Sequence, residues 1–429
     1  GYVEPQFTLR FDKDTSEEIW DEALDALGAG ATYPTLYNDD VNVPAVMYGM
    51  RVDEKAAEQY VPFGCTEFVI QGQSTGTPNI CINLLKLLTI YMNDGIDPID
   101  GKRKSGPVPL KKLEEYQTFE EFYDGYKALL DYYLDLSVKA QYHSYEVMNQ
   151  HVSFLFTSLL TDDCIARGKA LLDGGVRYLG GTNETYGNIN TSDSLWVIRD
   201  LVFNQKKYTL RQLNDAMLAN FNGYEALRKD CLNCDKYGND LETADTMAND
   251  LYEFVAKGVR NRGIAIGMQY FLIVISNNQL NTEWGNRTAA SPDGRLSCMY
   301  MNPANNPQGG ANKSGPTAML NSLAKFDAKY HGGSVQNIKF SPSMFNENRA
   351  VIKSLFKTYF AKGGCHLMVT VVDKGVLEDA VEHPENYPDL IVRVSGFSAV
   401  FVDLSPNIQQ ELLSRVLYCL LYTSPSPRD

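Results

Sequence analysis

Apolar and polar residues along this chain repeat first with a period of two, then with a period near 3.6, and the changes of period mark the expected elements. Phe7-Thr8-Leu9-Arg10-Phe11 alternates and predicts a strand. Ile19, Trp20, Ala23, Leu24 and Leu27 then share one helical face, opened by a Thr15…Glu18 capping-box pattern and ended by Gly28 and Gly30. Glu54 to Tyr60 predicts a short helix, and Asn79 to Met92 a longer one. A second capping box, Thr118…Glu121, begins a long helix on which Phe119, Phe122, Tyr126, Leu129, Leu130, Tyr133 and Leu134 recur at helical spacing. An aromatic stripe of this kind is core packing. Helical text resumes over Leu155 to Leu171.

A helix is expected from Asp193, and the stretch before it, Gly174 to Thr191, is rich in Gly, Asn and Thr. It holds neither GxGxxG nor a Walker pattern, which argues against nucleotide binding. Thr209…Gln212 caps a further helix. Ile264 to Ser276 reads as a buried strand, too short and too interrupted to span a bilayer. Beyond residue 281 the text is loop-rich. His366 to Asp373 predicts a strand, Leu377 to Val381 a short helix, and Ser405-Pro406 the start of a final helix through Leu417.

Composition narrows the class. The 429 residues suffice for a large core, and a net charge of −14 disfavours nucleic acid and anionic membrane as partners. Eight cysteines without a disulfide framework suit a reducing cytoplasm. Cys231 and Cys234 form a lone CxxC with no second pair, and the five histidines lack ligand spacing, so no metal site is expected. The chain opens without methionine and closes in Cys419 to Asp429, a string that looks like a translated sequencing adapter; residues 419–429 are expected not to be native.

Two stretches carry chemistry. Leu390, Ile391 and Val392 lead into Arg393-Val394-Ser395-Gly396-Phe397-Ser398, and Ala399 to Val402 lead out: strand, tight loop, strand. A lone glycine at such a tip needs only a positive φ or a close backbone approach. The whole string, however, resembles the glycyl radical signature of the pyruvate formate-lyase-like enzymes, with Phe397 where that family usually has tyrosine. Gly64-Cys65-Thr66-Glu67 resembles the same family's Gly-Cys-x-Glu loop. The two motifs stand in the family's order at opposite ends of the chain.

The resemblance implies an α/β fold: the C-terminal half of a ten-stranded α/β barrel of two parallel half-barrels, wrapped in helices and carrying a C-terminal glycyl radical hairpin. Residues 1–280 would form the barrel region, incomplete at its N-terminus, and 281–418 the radical domain. It implies that Gly396 stores the radical, that Cys65 becomes a thiyl that abstracts hydrogen from a small-molecule substrate, and that Glu67 is the general base. Arg393, Val394, Ser395, Phe397 and Ser398 would support the radical loop. Glu67 stands two positions after Cys65, so a locally extended loop places both on one face, and burial would raise the glutamate pKa. Asn38, Asp39, Ser291, Asp293, Gly315 and Thr317 lie in stretches that resemble motifs near the substrate cavity. Met301 to Pro307 departs from the family's Ala-Asp-Gly-x-Ser-Pro run.

The family needs no bound cofactor, a separate S-adenosylmethionine/iron-sulfur activase as partner, and usually a homodimer. Thr66 after Cys65, where the pyruvate-cleaving members have a second cysteine, favours elimination by a dehydratase or lyase over acyl transfer of the formate C-acetyltransferase kind; radical decarboxylation is a further alternative. Cys81 is the nearest other cysteine, in text that reads as helical. A non-catalytic radical-domain spare part would lack the cysteine loop.

Overall fold

The structure, a computed structural model, describes residues 6–64, 66–75, 80–275 and 279–419. Thirteen strands are present among them. In chain order they are β1 (Thr8–Phe11), β2 (Thr35–Asn38), β3 (Tyr60–Phe63), β4 (Glu67–Ile70), β5 (Ile80–Asn83), β6 (Gly180–Tyr186) and β7 (Tyr270–Ile275). Then follow β8 (His331–Ser334), β9 (Asn337–Phe340), β10 (His366–Val371), β11 (Ile391–Arg393), β12 (Ser398–Val400) and β13 (Leu417–Tyr418).

Nine strands build two walls. One is a parallel sheet in the order β5-β6-β7-β8; the other runs β1-β2-β10-β9-β13. In the second, β1 and β2 are parallel, as are β10, β9 and β13, and the two groups meet antiparallel where His366 and Leu367 face Tyr37 and Leu36. The expected parallel half-barrels are thus present, with an antiparallel seam at β2/β10. The walls join through one extended run: the Val335 amide bonds the carbonyl of Ile275, and the Gln336 carbonyl accepts from Met368.

Side-chain alternation separates an outer from an inner face. Ile338, Phe340, Leu367, Val369 and Val371 point outward into a cluster with Phe356, Tyr359 and Phe360. Phe11, Trp20 and Phe360 meet there edge-on, with ring centroids 4.6 and 4.7 Å apart. On the other wall Phe271, Ile273 and Ile275 pack against the long helix Phe119–His151, whose aromatic stripe is buried core. The alternate residues face inward: Tyr37 from β2, Tyr270 and Leu272 from β7, His366 and Met368 from β10. The antiparallel pair β3/β4 occupies that interior, with Phe68 and Ile70 against Tyr37, Tyr270 and Leu272. The pair β11/β12 is the second hairpin, cushioned by Leu377, Phe401, Ile408 and Leu412.

Several boundaries differ from the sequence pattern. The first helix, Glu17–Gly28, is capped by Ser16, while Thr15 bonds back to Asp12; Ile19 is exposed rather than on the buried face. Glu54 begins only one helical turn, because Tyr60 belongs to β3. Ile80–Asn83 is a strand, and the helix starts at Leu84, capped by Asn83. The stretch 155–171 breaks into two short helices. The helix expected from Asp193 starts at Asn188. Helix Glu242–Ala265 runs on through Ile264, and β7 begins at Tyr270: a continuous apolar run does not distinguish the two states. The last helix stops at Ser414 because Leu417 and Tyr418 pair with β9. Ser405 and Pro406 do open it. Thr118 and Thr209 both cap their helices, each hydroxyl accepting the amide three residues on at 3.1 Å; Gln212 completes the box at Thr209, while Glu121 takes the Gln117 amide instead.

Candidate active site

Gly64 and Thr66, at the tip of β3/β4, both have positive φ, 55° and 95°. Thr66 is the costly one, since a β-branched residue resists this region; its surroundings must hold it there. Cys65 lies outside the described residues. Glu67 opens β4 and is 4% exposed. The loop is not extended. It turns so that the Glu67 carboxylate folds back over Gly64, where an added Cβ would stand 2.8 Å from Oε2. The same-face argument for Cys65 and Glu67 therefore gives way to a turn that brings the carboxylate back beside residue 64.

The barrel wall supports this turn. Gly333 follows the first residues of β8 with φ 141°, and a Cβ there would collide with the Thr66 carbonyl oxygen. Only glycine admits so close an approach of two backbones. Gly332 and Gly333 sit where the β7/β8 register slips between Ile273 and Ile275. At the base of the hairpin the Tyr60 hydroxyl donates to Asp39 Oδ1 at 2.7 Å, and Arg10 pairs with Asp39 at 2.7 Å.

The second loop comes from β11/β12. Arg393 pairs with Ser398, leaving Val394 to Phe397 as the turn, closed by the Val394 amide on the Phe397 carbonyl at 3.0 Å. Gly396 is buried. Its carbonyl accepts from the Gln6 side-chain amide at 2.9 Å, and that of Val394 from Arg415 at 2.6 Å. Arg415 is held in turn by Glu411 at 2.8 Å. Ser395 is fully buried, and Phe397 is half-buried against the hairpin's own cushion. The Arg393 guanidinium, 1% exposed, reaches Met368 Sδ and Ser398 Oγ at 3.4 Å each and stacks 5.0 Å from the Tyr33 ring.

Tyr37 on β2 lies between the two loops. Its ring is 4.6 Å from that of His366 and 6.5 Å from that of Phe68. Burial pushes its phenol well above the ordinary range, while the positive Arg393 of one loop pulls it down and the carboxylate of Glu67 in the other pushes it up. One phenol thus feels both loops. Two buried histidines complete the floor. The His331 Nδ1 accepts from the Gly333 amide at 2.8 Å, and His366 Nδ1 from Gln336 at 3.3 Å, so each is neutral with its proton on Nε2. Burial lowers His331 to about 4, and burial, with the nearby Arg393, lowers His366 well below the ordinary range.

The remaining expected site residues are placed as follows. Asn38 caps no helix through its side chain; its amide donates to the carbonyls of Phe360 and Gly364 at 3.1 and 2.9 Å. Ser291 and Asn190 both donate to the Asp293 carboxylate at 2.6 Å, knotting the loop that Arg295 fills by bonding backbone carbonyls. Gly315 starts the helix Gly315–Ala324, and Thr317 is exposed on its first turn. Asn302 and Asn306, in the departing Met301–Pro307 run, exchange bonds with Asn190 and Asn337. Cys81 lies on β5 rather than in a helix, and burial beside Glu184 pushes its thiol up to about 12. Among the described residues no group of three His, Cys, Asp or Glu side chains could hold a metal ion, and no helix is long and apolar enough to cross a membrane.

The pattern had not singled out Gln6, Tyr37, Gly333, His331, His366 or Arg415. Gly332-Gly333, two glycines inside β8, was a readable sign of close backbone approach. The others become functional only through contacts between distant segments.

The profile of the Pyruvate formate lyase-like family matches residues 1–280, and that of the Glycine radical family matches residues 301–402. The chain belongs to the glycyl radical enzyme family. Trans-4-hydroxy-L-proline dehydratase of Clostridioides difficile is 30% identical over 96% of this chain and 52% of its own length. Isethionate sulfite-lyase of Oleidesulfovibrio alaskensis is 28% identical over 96% of this chain and 50% of its own. The glycerol-bound B12-independent glycerol dehydratase of Clostridium butyricum superimposes with a TM-score of 0.91 at 30% identity, covering 97% of this chain and 53% of that one. The chain spans about half the length of the curated relatives it matches.

Proposed function

We propose that the protein containing this chain is a glycyl radical dehydratase or lyase that cleaves a C–O, C–N or C–S bond of a small substrate. A radical at the Gly396 α-carbon takes the Cys65 S–H hydrogen. The resulting thiyl takes a hydrogen atom from a substrate carbon that bears a hydroxyl. Glu67 accepts the hydroxyl proton, the bond to the neighbouring leaving group breaks with its electron pair, and a carbonyl forms on the first carbon. The remaining carbon radical regains hydrogen from Cys65, which restores the thiyl. For a hydroxyl leaving group the net change is loss of water.

The observation that carries this reading is the buried Glu67 carboxylate, folded beside the cysteine position on the loop that shares Tyr37 with the Gly396 hairpin. A base delivered by the same loop as the hydrogen abstractor suits elimination. Acyl transfer needs a second nucleophilic sulfur, and Cys81 is a poor one: its thiol is raised to about 12 and hydrogen-bonds Glu184. The names of the relatives, dehydratases and a sulfite-lyase, favour the same class.

The glycine radical would be installed by a separate S-adenosylmethionine/iron-sulfur activase, with a homodimer as the working form and the cytoplasm as its place. The test is electron paramagnetic resonance on the full-length protein, activated anaerobically. A doublet split by one α-hydrogen and absent from Gly396→Ala is expected. A fully competent activase that leaves the wild type silent would refute the radical assignment.

A further inference from the structure

The interior wall against which the cysteine loop is pressed carries a second buried acid. On β6, Gly181 and Asn183 face the long helix: a Cβ at Gly181 would meet Gln141, and Asn183 donates to Ser137 at 2.8 Å. Gly180, Thr182, Glu184 and Tyr186 therefore face inward. Thr182 confirms the direction, since its methyl lies 3.7 Å from where a Gly332 Cβ would stand. Glu184 is 4% exposed and accepts from the Tyr186 hydroxyl and, at 3.6 Å, from the Cys81 thiol.

Register fixes its height. Glu184 pairs with Val274, and Val274 falls between Ile273 and Ile275, which pair with His331 and Ser334. Glu184 is thus level with Gly332 and Gly333, and Gly333 is the residue pressed against Thr66 and Glu67. Two strand spacings, roughly 10 Å, separate the two backbones. β7 fills that interval in the sheet, so Glu184 and the Glu67 loop stand side by side over one inner face, at a spacing that suits the two ends of a molecule of a few heavy atoms. Independent evidence for a polar ligand comes from hydroxyls on the same surface. Thr182 Oγ1 (residue 2% exposed) and Thr66 Oγ1 (1%) have no hydrogen-bond partner among the described residues. Such buried donors are rarely left without one.

We propose that Glu184 and Thr182 form a side wall of the substrate cavity and bind a hydroxyl or ammonium group at the end of the substrate remote from the reacting carbon. This rests on the reading of the Glu67 loop as the reacting side. A carboxylate accepts from a hydroxyl or pairs with an ammonium, and repels a sulfonate or carboxylate at that end. Glu184 is then a specificity residue: it selects polyols or amino-alcohols over anionic substrates.

The test is calorimetric titration of the full-length, unactivated protein with glycerol, ethanolamine and isethionate. Glycerol or ethanolamine is expected to bind and isethionate not to compete. Glu184→Gln should weaken the bound probe at least tenfold and Thr182→Val about twofold to fivefold, with Glu184→Asp in between. Thermal unfolding identifies any variant that does not fold; Thr182→Val and Glu184→Asp carry the test if Glu184→Gln is one. Preference of the wild type for isethionate overturns the proposal. So does binding by a folded Glu184→Gln as tight as by wild type, or no binding of either probe by either protein. After activation the Gly396 doublet should be equal in wild type and Glu184→Gln. A missing doublet beside Glu184-dependent binding removes the radical reading and leaves the cavity wall standing; a normal doublet beside unchanged binding does the reverse.

Discussion

The side chain of Gln6 donates to the carbonyl of Gly396 at 2.9 Å, across 390 residues of chain. The segment before β1 therefore clasps the loop that carries the candidate radical, and it does so at the glycine itself. Gln6→Leu removes the donor while keeping the bulk. A neutral hydrogen bond of this kind contributes about 1 kcal/mol. Amide exchange over residues 391–400 should accelerate roughly fivefold, and activation by the activase should quicken with it. Equal exchange in both proteins would show that the clasp does not hold the hairpin.

Gly333 and Thr66 offer a sharper test of the cysteine loop. Gly333→Ala places a methyl group against the Thr66 carbonyl and strains a φ of 141°. The expected cost is on the order of 1–3 kcal/mol of stability, read as a lower unfolding midpoint. Because the clash falls on the loop rather than the core, turnover should fall by more than tenfold even at temperatures where the variant is folded, while the Gly396 radical still forms.

Glu67→Gln keeps size and hydrogen bonding and removes the base. The electron paramagnetic resonance doublet should persist, and turnover should drop by about 10²–10⁴, the usual contribution of a positioned base. Wild-type turnover in the glutamine variant would assign the proton to another group.

Lys339 on β9 gives a pH dependence. It lines a narrow cavity of about 50 Å³ with Arg393, Arg415, Asn312 and Tyr418, and donates to the Leu412 carbonyl at 3.0 Å. Burial lowers its pKa to about 7, aided by Arg415 and Lys374 and opposed by Glu411. Unfolded, it titrates near 10.4. Between about pH 7 and 10 the unfolded chain holds a proton that the folded one does not, so this group makes stability rise with pH over that window and adds nothing to the slope below it. The unfolding midpoint of Lys339→Met should change less between pH 7 and 9 than that of wild type. Identical slopes would place the titration elsewhere.

His331 acts on the acid side. Its folded pKa of about 4 lies below the ordinary 6.5, so the unfolded chain takes up the proton first and stability falls as pH drops from about 6.5 toward 4. His331→Phe should flatten that limb in a urea titration series, while an unchanged limb would point to other groups.

Local rules settled much of this protein. Alternation placed β1, β10 and the Gly396 hairpin, and side-chain hydroxyls three residues before a Glu or Gln located two helix starts, because caps and pleats depend on near neighbours. The pair of motifs at Gly64–Glu67 and Arg393–Ser398 named the family that the profiles match. Local rules failed where an apolar run fits either state, as at Ile264–Ala265 in a helix and Ile80–Asn83 in a strand. There the neighbours across the sheet decide. The same holds for the site. Nothing in the string Thr35-Leu36-Tyr37 says that Tyr37 will feel both Glu67 and Arg393, and nothing in Gly180 to Tyr186 says that Glu184 will stand level with Gly333. Those relationships arise from strand register and order, which only long-range packing sets: sequence determined the chemistry each loop can offer, and tertiary structure decided which groups share one interior.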